Sequence, residues 1–98
     1  MSELDPVLSI VAGYFSVLAE PSRLKILHAL CEGERSVSDI VVDTGVAQTN
    51  VSRHLALMHR HGVVERRKDG NQVYYRIADQ TPPELCRTVC ARIAKSMD

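Results

Sequence analysis

A glycine set between two runs of helical periodicity constrains this chain more than any other feature. From Ser36 to Gly62 the sequence reads SVSDIVVDTGVAQTNVSRHLALMHRHG. Val37, Ile40 and Val41 fall at i, i+3 and i+4, on one face of a short helix. Asp43-Thr44-Gly45 ends that helix, because glycine just past the last periodic residue takes the left-handed cap without a Cβ clash. A second helix starts near Ala47, with Val51, Leu55 and Met58 at i, i+4 and i+7 as a buried stripe. Gln48, Thr49, Ser52 and Arg53 project from the opposite face, in its first turns. These side chains donate to and accept from base edges and phosphates. Two helices around a tight turn, with that chemistry at the start of the second, form a helix-turn-helix, which lays its second helix in the DNA major groove. The competing expectation is a solvated helix face on a small α protein.

The flanking sequence supplies the rest of a fold. Leu4 to Leu18 reads as a helix with two apolar stripes: Leu4, Leu8, Val11, Phe15 and Leu18 on one, and Val7, Ile10, Tyr14 and Val17 on the other. One stripe can line the chain's own core. The other needs a partner, and the economical partner is a symmetry mate. Glu20-Pro21-Ser22 breaks the pattern, and a second helix follows from Ser22 to about Cys31 with Leu24, Ile26, Leu27 and Leu30 as its core residues. After the helix-turn-helix, Val63–Lys68 and Gln72–Ile77 are β-prone runs joined by Asp69-Gly70-Asn71, the signature of a hairpin. A closing helix runs from about Pro82 to Ser96, with Leu85, Val89 and Ile93 at i, i+4 and i+8.

At 98 residues this is one domain, small enough that dimerisation would help its stability. The formal net charge is zero, which alone argues against nucleic acid, but the charges are segregated. Residues 1–45 hold three basic and seven acidic side chains, a net −4, whereas residues 46–76 hold six basic and two acidic, a net +4. A basic face of that kind suits a polyanion. No apolar run reaches the length of a membrane span, and the acidic start MSELDP is unlike a signal peptide, so the chain is expected in the cytoplasm. Three cysteines, Cys31, Cys86 and Cys90, are too few for a disulfide framework.

The phrases LAEPSRLKILHAL and TNVSRHLALMHRHGVVERRKDGNQVYYRI, followed by a terminal helix, resemble the ArsR/SmtB family of winged-helix repressors. The L-x-x-P-x-R-L-x-I-L opening, the V-S-x-H-L core of the recognition helix and the G-x-x-x-Y-x-I wing occur in order, and the likeness covers nearly the whole chain. The resemblance implies a mainly α winged helix-turn-helix: four helices, a β-hairpin wing and a last helix. It further implies a homodimer closed by the first and last helices on a palindromic operator of double-stranded DNA, repressing transcription until an inducer binds. By position, Gln48, Thr49, Ser52 and Arg53 align with the DNA-reading face. Arg53 is the expected carrier of base specificity, because its planar fork binds guanine bidentately. His54 is placed between a phosphate contact and a structural hydrogen bond at the core's edge. Arg66, Arg67, Lys68 and Gln72 on the wing are expected to reach phosphates or the minor groove.

The departures from the family bear on what the chain senses. The family's metal pattern E-x-C-V-C-D-L is here Glu34-Arg35-Ser36-Val37-Ser38-Asp39-Ile40, with both thiolates replaced by hydroxyls, which are poor ligands for soft metals. Asp79-Gln80-Thr81 and the lack of any histidine after His61 remove the family's zinc site on the last helix as well. Cys86 and Cys90 stand at i, i+4 with Cβ atoms about 5–6 Å apart, too far for a disulfide but able to share arsenite, zinc or cadmium. Cys31 is the candidate third ligand, with His28 a turn before it. Relatives that sense oxidants or persulfides imply instead a Cys31–Cys90 disulfide or polysulfide bridge. The third expectation is that all three thiols are buried and structural. No catalytic motif is present, so an enzyme is not expected. The rival reading is a winged helix used to dock another protein, for which an apolar patch in place of the basic segment would be the sign.

Overall fold

The computed structural model describes residues 3–97. In chain order it comprises helix α1 (Asp5–Leu18), helix α2 (Pro21–Leu30), strand β1 (Arg35–Ser36), helix α3 (Val37–Thr44), helix α4 (Gln48–Arg60), strands β2 (Val64–Asp69) and β3 (Gln72–Ile77), and helix α5 (Thr81–Met97). The strands form an antiparallel sheet in the order β1-β3-β2. The structure is thus a winged helix-turn-helix, mainly helical, with β2 and β3 as the wing.

Three of the helix starts, those of α2, α3 and α5, have a side-chain cap. Glu20 caps α2, its carboxylate accepting from the Arg23 backbone N–H at 3.0 Å, and Pro21 occupies the first turn, where no N–H is needed. The Ser36 hydroxyl accepts from the Asp39 N–H at 3.1 Å and caps α3. Gly45 closes α3 at φ 72°, its N–H donating to the Val41 carbonyl, as the sequence requires. Asp79 caps α5 through the Thr81 N–H at 2.9 Å. The hairpin turns at Gly70 and Asn71 with positive φ only at Gly70, the pattern of a type II′ turn.

The core lies where α2, α3 and α4 meet the base of the sheet. Ile26, Ile40, Val51, Leu55, Met58 and Val63 are fully buried, with Leu27, Leu30, Val64 and Tyr75 around them. The Val51-Leu55-Met58 stripe is therefore the inner face of α4. Strand β1 was not anticipated: two residues are too few to show an alternating pattern, and Arg35 and Ser36 are strand only because they pair with Tyr75 and Tyr74.

The two stripes of α1 are used unevenly. Val17 and Gly13 are buried and Tyr14 half-buried, whereas Val7, Leu8, Ile10, Val11 and Phe15 are exposed. Gly13 faces the end of α4, where a Cβ would stand 2.8 Å from His61 Nδ1, so the absent side chain is what lets α1 approach. The Tyr14 hydroxyl donates to Asp79 at 2.5 Å and ties α1 to the start of α5. Beyond the buried Pro82 and Pro83, α5 continues with Val89, Ile93 and Met97 exposed.

Candidate nucleic-acid interface

Helix α4 is held by its apolar stripe so that Gln48, Thr49, Ser52 and Arg53 all face solvent. Nothing in α4's first turn is acidic, so the positive end of the helix dipole is unopposed there. Arg53 does not wave freely, because its guanidinium donates to Asn50 Oδ1 at 2.9 Å. Asn50 is a site residue that the sequence reading missed. Its i, i+3 spacing from Arg53 was the available signal, since side chains three apart on a helix are neighbours.

His54 turns away from this face, a correction to its place among the DNA-contacting residues. It is 7% exposed, with Nδ1 3.3 Å from the Arg23 guanidinium and Nε2 3.3 Å from the Glu20 carboxylate. Arg23 also donates to the Val17 carbonyl at 3.0 Å and to the Ser16 carbonyl at 2.9 Å, the latter shared with the Ala19 N–H, and so helps to satisfy the end of α1. The ring is thus the point at which α4 is fastened to α1 and α2. Burial pushes the His54 pKa down, and Arg23 and Arg53 add to that, against the pull of Glu20.

The wing divides its charges between two faces. Cross-strand partners share a face, so Arg66 and Lys68 stand beside Tyr75 and Val73, while Glu65, Arg67, Asp69, Gln72, Tyr74 and Arg76 stand on the other. Arg66, Lys68 and Gln72 are exposed. Arg67 is exposed but carries an ion pair of its own in the structure. It binds the Glu34 carboxylate through Nη2 at 2.8 Å and Nε at 3.1 Å, and lies 4.5 Å from the centre of the Tyr74 ring. The Arg67 hydrogen bonds hold the Glu34 carboxyl below its usual range. Arg76 is paired likewise with Glu65 at 2.7 Å. Glu34 lies far from the wing in sequence, and a charge count over residues 46–76 could not see it.

The cysteines also differ from expectation. Cys31 and Cys90 are exposed and Cys86 is half-buried, so they are not all core thiols. Cys31 lies one residue past Leu30, the last core position of α2, and Cys90 lies where α5 has left the body of the fold. All three line one small pocket, yet among the described residues no three His, Cys, Asp or Glu side chains converge on a point that could hold a metal ion. Arsenite, zinc or cadmium would thus meet Cys31, Cys86 and Cys90 around one pocket but not as a preformed three-ligand cluster among the described residues. A site on α3 does not fit, because the Ser36 hydroxyl is spent on the helix cap.

Residues 20–66 match the model for the bacterial regulatory protein, arsR family. An HTH-type transcriptional regulator of Mycobacterium tuberculosis is 39% identical over 95 residues, covering 93% of this chain and 83% of that protein. The chain belongs to the ArsR family. Its other relatives include a probable mercury resistance operon repressor of Streptomyces lividans, 34% identical over 89% of this chain and 72% of that one. A homodimeric winged helix-turn-helix DNA-binding domain from Mycobacterium bovis superposes with a TM-score of 0.84 at 34% identity, over 99% of this chain and 91% of that one. These ArsR-family relatives are transcriptional regulators, and among the described residues no helix is long and apolar enough to cross a membrane.

Proposed function

We propose that this ArsR-family regulator represses transcription as a homodimer on a palindromic operator, and that chemistry at its cysteine thiols releases it. The carrying observation is the outward face of α4, where Gln48, Thr49, Ser52 and the Asn50-braced Arg53 stand on a helix seated by three fully buried side chains. Arg53 reads a base edge, and Arg66, Lys68 and Gln72 hold the flanking backbone. Dimerisation is supported by the uncovered apolar side chains of α1 and α5, and the M. bovis domain is described as homodimeric. A twofold dimer meets two inverted half-sites, hence a palindrome. Release through the thiols is supported by their exposure, since accessible thiols are the ones that react.

Selection of bound duplexes from a random pool tests this reading. A twofold-symmetric consensus whose affinity falls steeply with salt is the expected result. Salt-independent binding, or no enrichment, would overturn it.

A further inference from the structure

Helix α4 carries a second line of side chains beside its reading face. Asn50, Arg53, Leu57 and Arg60 fall at i, i+3, i+7 and i+10, on one side of the helix. Opposite them stands the first turn of α2, and between the two helices runs a cleft of about 560 Å³ lined also by Glu20, Ser22 and Arg23. Among the described residues, none of the wing lines it. The cleft is continuous with the reading face, because Asn50 and Arg53 belong to both.

The polar groups of this cleft are not equally free. Arg23 is spent on the carbonyls of α1 and on His54, and Arg53 leans on Asn50. The Glu20 carboxylate accepts from the Arg23 N–H at 3.0 Å and lies 3.3 Å from His54 Nε2. Arg60 is exposed and Ser22 half-buried, and neither side chain has a hydrogen-bond or ion-pair partner among the described residues. A helix that enters the major groove by its N-terminal end carries its later residues out of the groove. Arg60 follows Arg53 by two turns, about 10.5 Å along the axis, whereas the groove is about 8.5 Å deep. With Arg53 at a base edge, Arg60 therefore stands beyond the bases and level with the phosphates.

We propose that Arg60 and Ser22 clasp one phosphate of the operator backbone at the lip of the major groove, Arg60 by its charge and Ser22 by donating its hydroxyl proton. This rests on the operator-binding reading above and adds a contact that neither the reading face nor the wing supplies. The backbone at the start of α2 is not the anion's partner, since the Glu20 carboxylate already holds the Arg23 N–H there. That carboxylate keeps a second anion off the helix end and leaves the phosphate to the two side chains. The competing role for Arg60 is purely local, because a cation in the last turn of a helix favours the helix dipole. The two roles differ in what salt and a neutralised phosphate do to binding.

The experiment uses the full chain and the duplex selected from the random pool, read by fluorescence anisotropy over a salt series. Arg60→Ala should weaken binding to this duplex and to random DNA alike, about fivefold near 0.15 M salt, and flatten the log-log slope by about one unit, the release of one counterion. Arg60→Lys should keep the parental slope. Ser22→Ala should weaken binding about threefold with the slope unchanged, because a hydroxyl brings a hydrogen bond and no charge. Arg87→Ala, which removes the same charge from α5, should bind as the parent does. Single neutral methylphosphonates scanned along one half-site locate the phosphate: one position should weaken the parent about fivefold and Arg60→Ala not at all. An Arg60→Ala variant with a lowered urea midpoint and the parental slope, or with the parent's response at every methylphosphonate, would overturn the clasp and leave the repressor reading standing. Inorganic phosphate that competed more strongly than chloride at matched ionic strength would assign the cleft to a free anion and overturn the clasp as well. A parent protein that bound no duplex in a salt-dependent way would remove the operator reading itself, and the clasp with it.

Discussion

His54 Nδ1 lies 3.3 Å from the Arg23 guanidinium, which can only donate, a contact that suits a neutral ring accepting through Nδ1. Its proton then sits on Nε2 and points at Glu20, 3.3 Å away. Protonating the ring would set a second positive charge against Arg23. Because the folded-state pKa is pushed below the ordinary value of 6.5, the unfolded chain binds the proton more readily. The stability this provides is fully present above about pH 6.5 and is lost as pH falls through the lower folded value. The urea midpoint should therefore fall between pH 7.5 and 5.5, by less in His54→Gln than in the parent. An NMR titration should place the His54 midpoint below 6.5.

Removing the ring has a cost of its own. His54→Ala takes the acceptor from Arg23 Nη1, though Nε and Nη2 keep the α1 carbonyls, and empties a buried site, so it should destabilise the fold by about 1–3 kcal/mol, read by denaturant unfolding.

The Glu34–Arg67 pair alters what the wing should do on DNA. With its guanidinium paired to Glu34, Arg67 must give up that pair to reach a phosphate, so Arg67→Ala should flatten the salt dependence of binding less than a change at an unpaired wing cation does. Arg66→Ala and Lys68→Ala should each flatten the log-log salt slope by about one unit. Glu34→Gln should act in the opposite sense, releasing Arg67 and steepening the slope with random duplex. Fluorescence anisotropy over a salt series checks all four.

Arg53 and Asn50 separate specificity from affinity. Arg53→Ala should cost about 1–3 kcal/mol on the operator and relax the sequence preference. Asn50→Ala leaves the guanidinium in place but unbraced, so it should erode discrimination between operator and random DNA while the affinity for random DNA stays near the parent's. Parallel titrations of both duplexes distinguish the two variants.

What the sequence revealed followed from periodicity. Val51, Leu55 and Met58 have one spacing and one environment, and Gly45 has one conformation that suits it, so the helix-turn-helix was legible. The fates of individual polar side chains were not, because they depend on partners distant in the chain. Arg67 is claimed by Glu34, 33 positions earlier, and His54 by Arg23, 31 positions earlier. The sequence left His54 between two roles and gave no sign of the Glu34–Arg67 pair, because a basic residue's neighbours in sequence say little about its neighbours in space. The cysteines misled in another way. Apolar patterning marks α5 as amphipathic, but it does not say that the body of the fold ends near Cys86 and leaves Cys90 exposed.

The uncovered side chains of α1 and α5 test the dimer. Phe15 is 56% exposed, Ile10 62%, Val89 55% and Ile93 52%, more apolar side chains than a small monomer leaves bare on two adjoining helices. Val17 on the inner face of α1 is 1% exposed, so a charge at Phe15 should disturb a partner and not the chain's own core. Phe15→Glu should shift sedimentation from dimer to monomer while preserving the helical circular dichroism signal. Each half of a palindrome would then be bound alone, and the loss should be far greater on the full operator than on an isolated half-site. A monomer that still held the full operator with parental affinity would place the partner surface elsewhere.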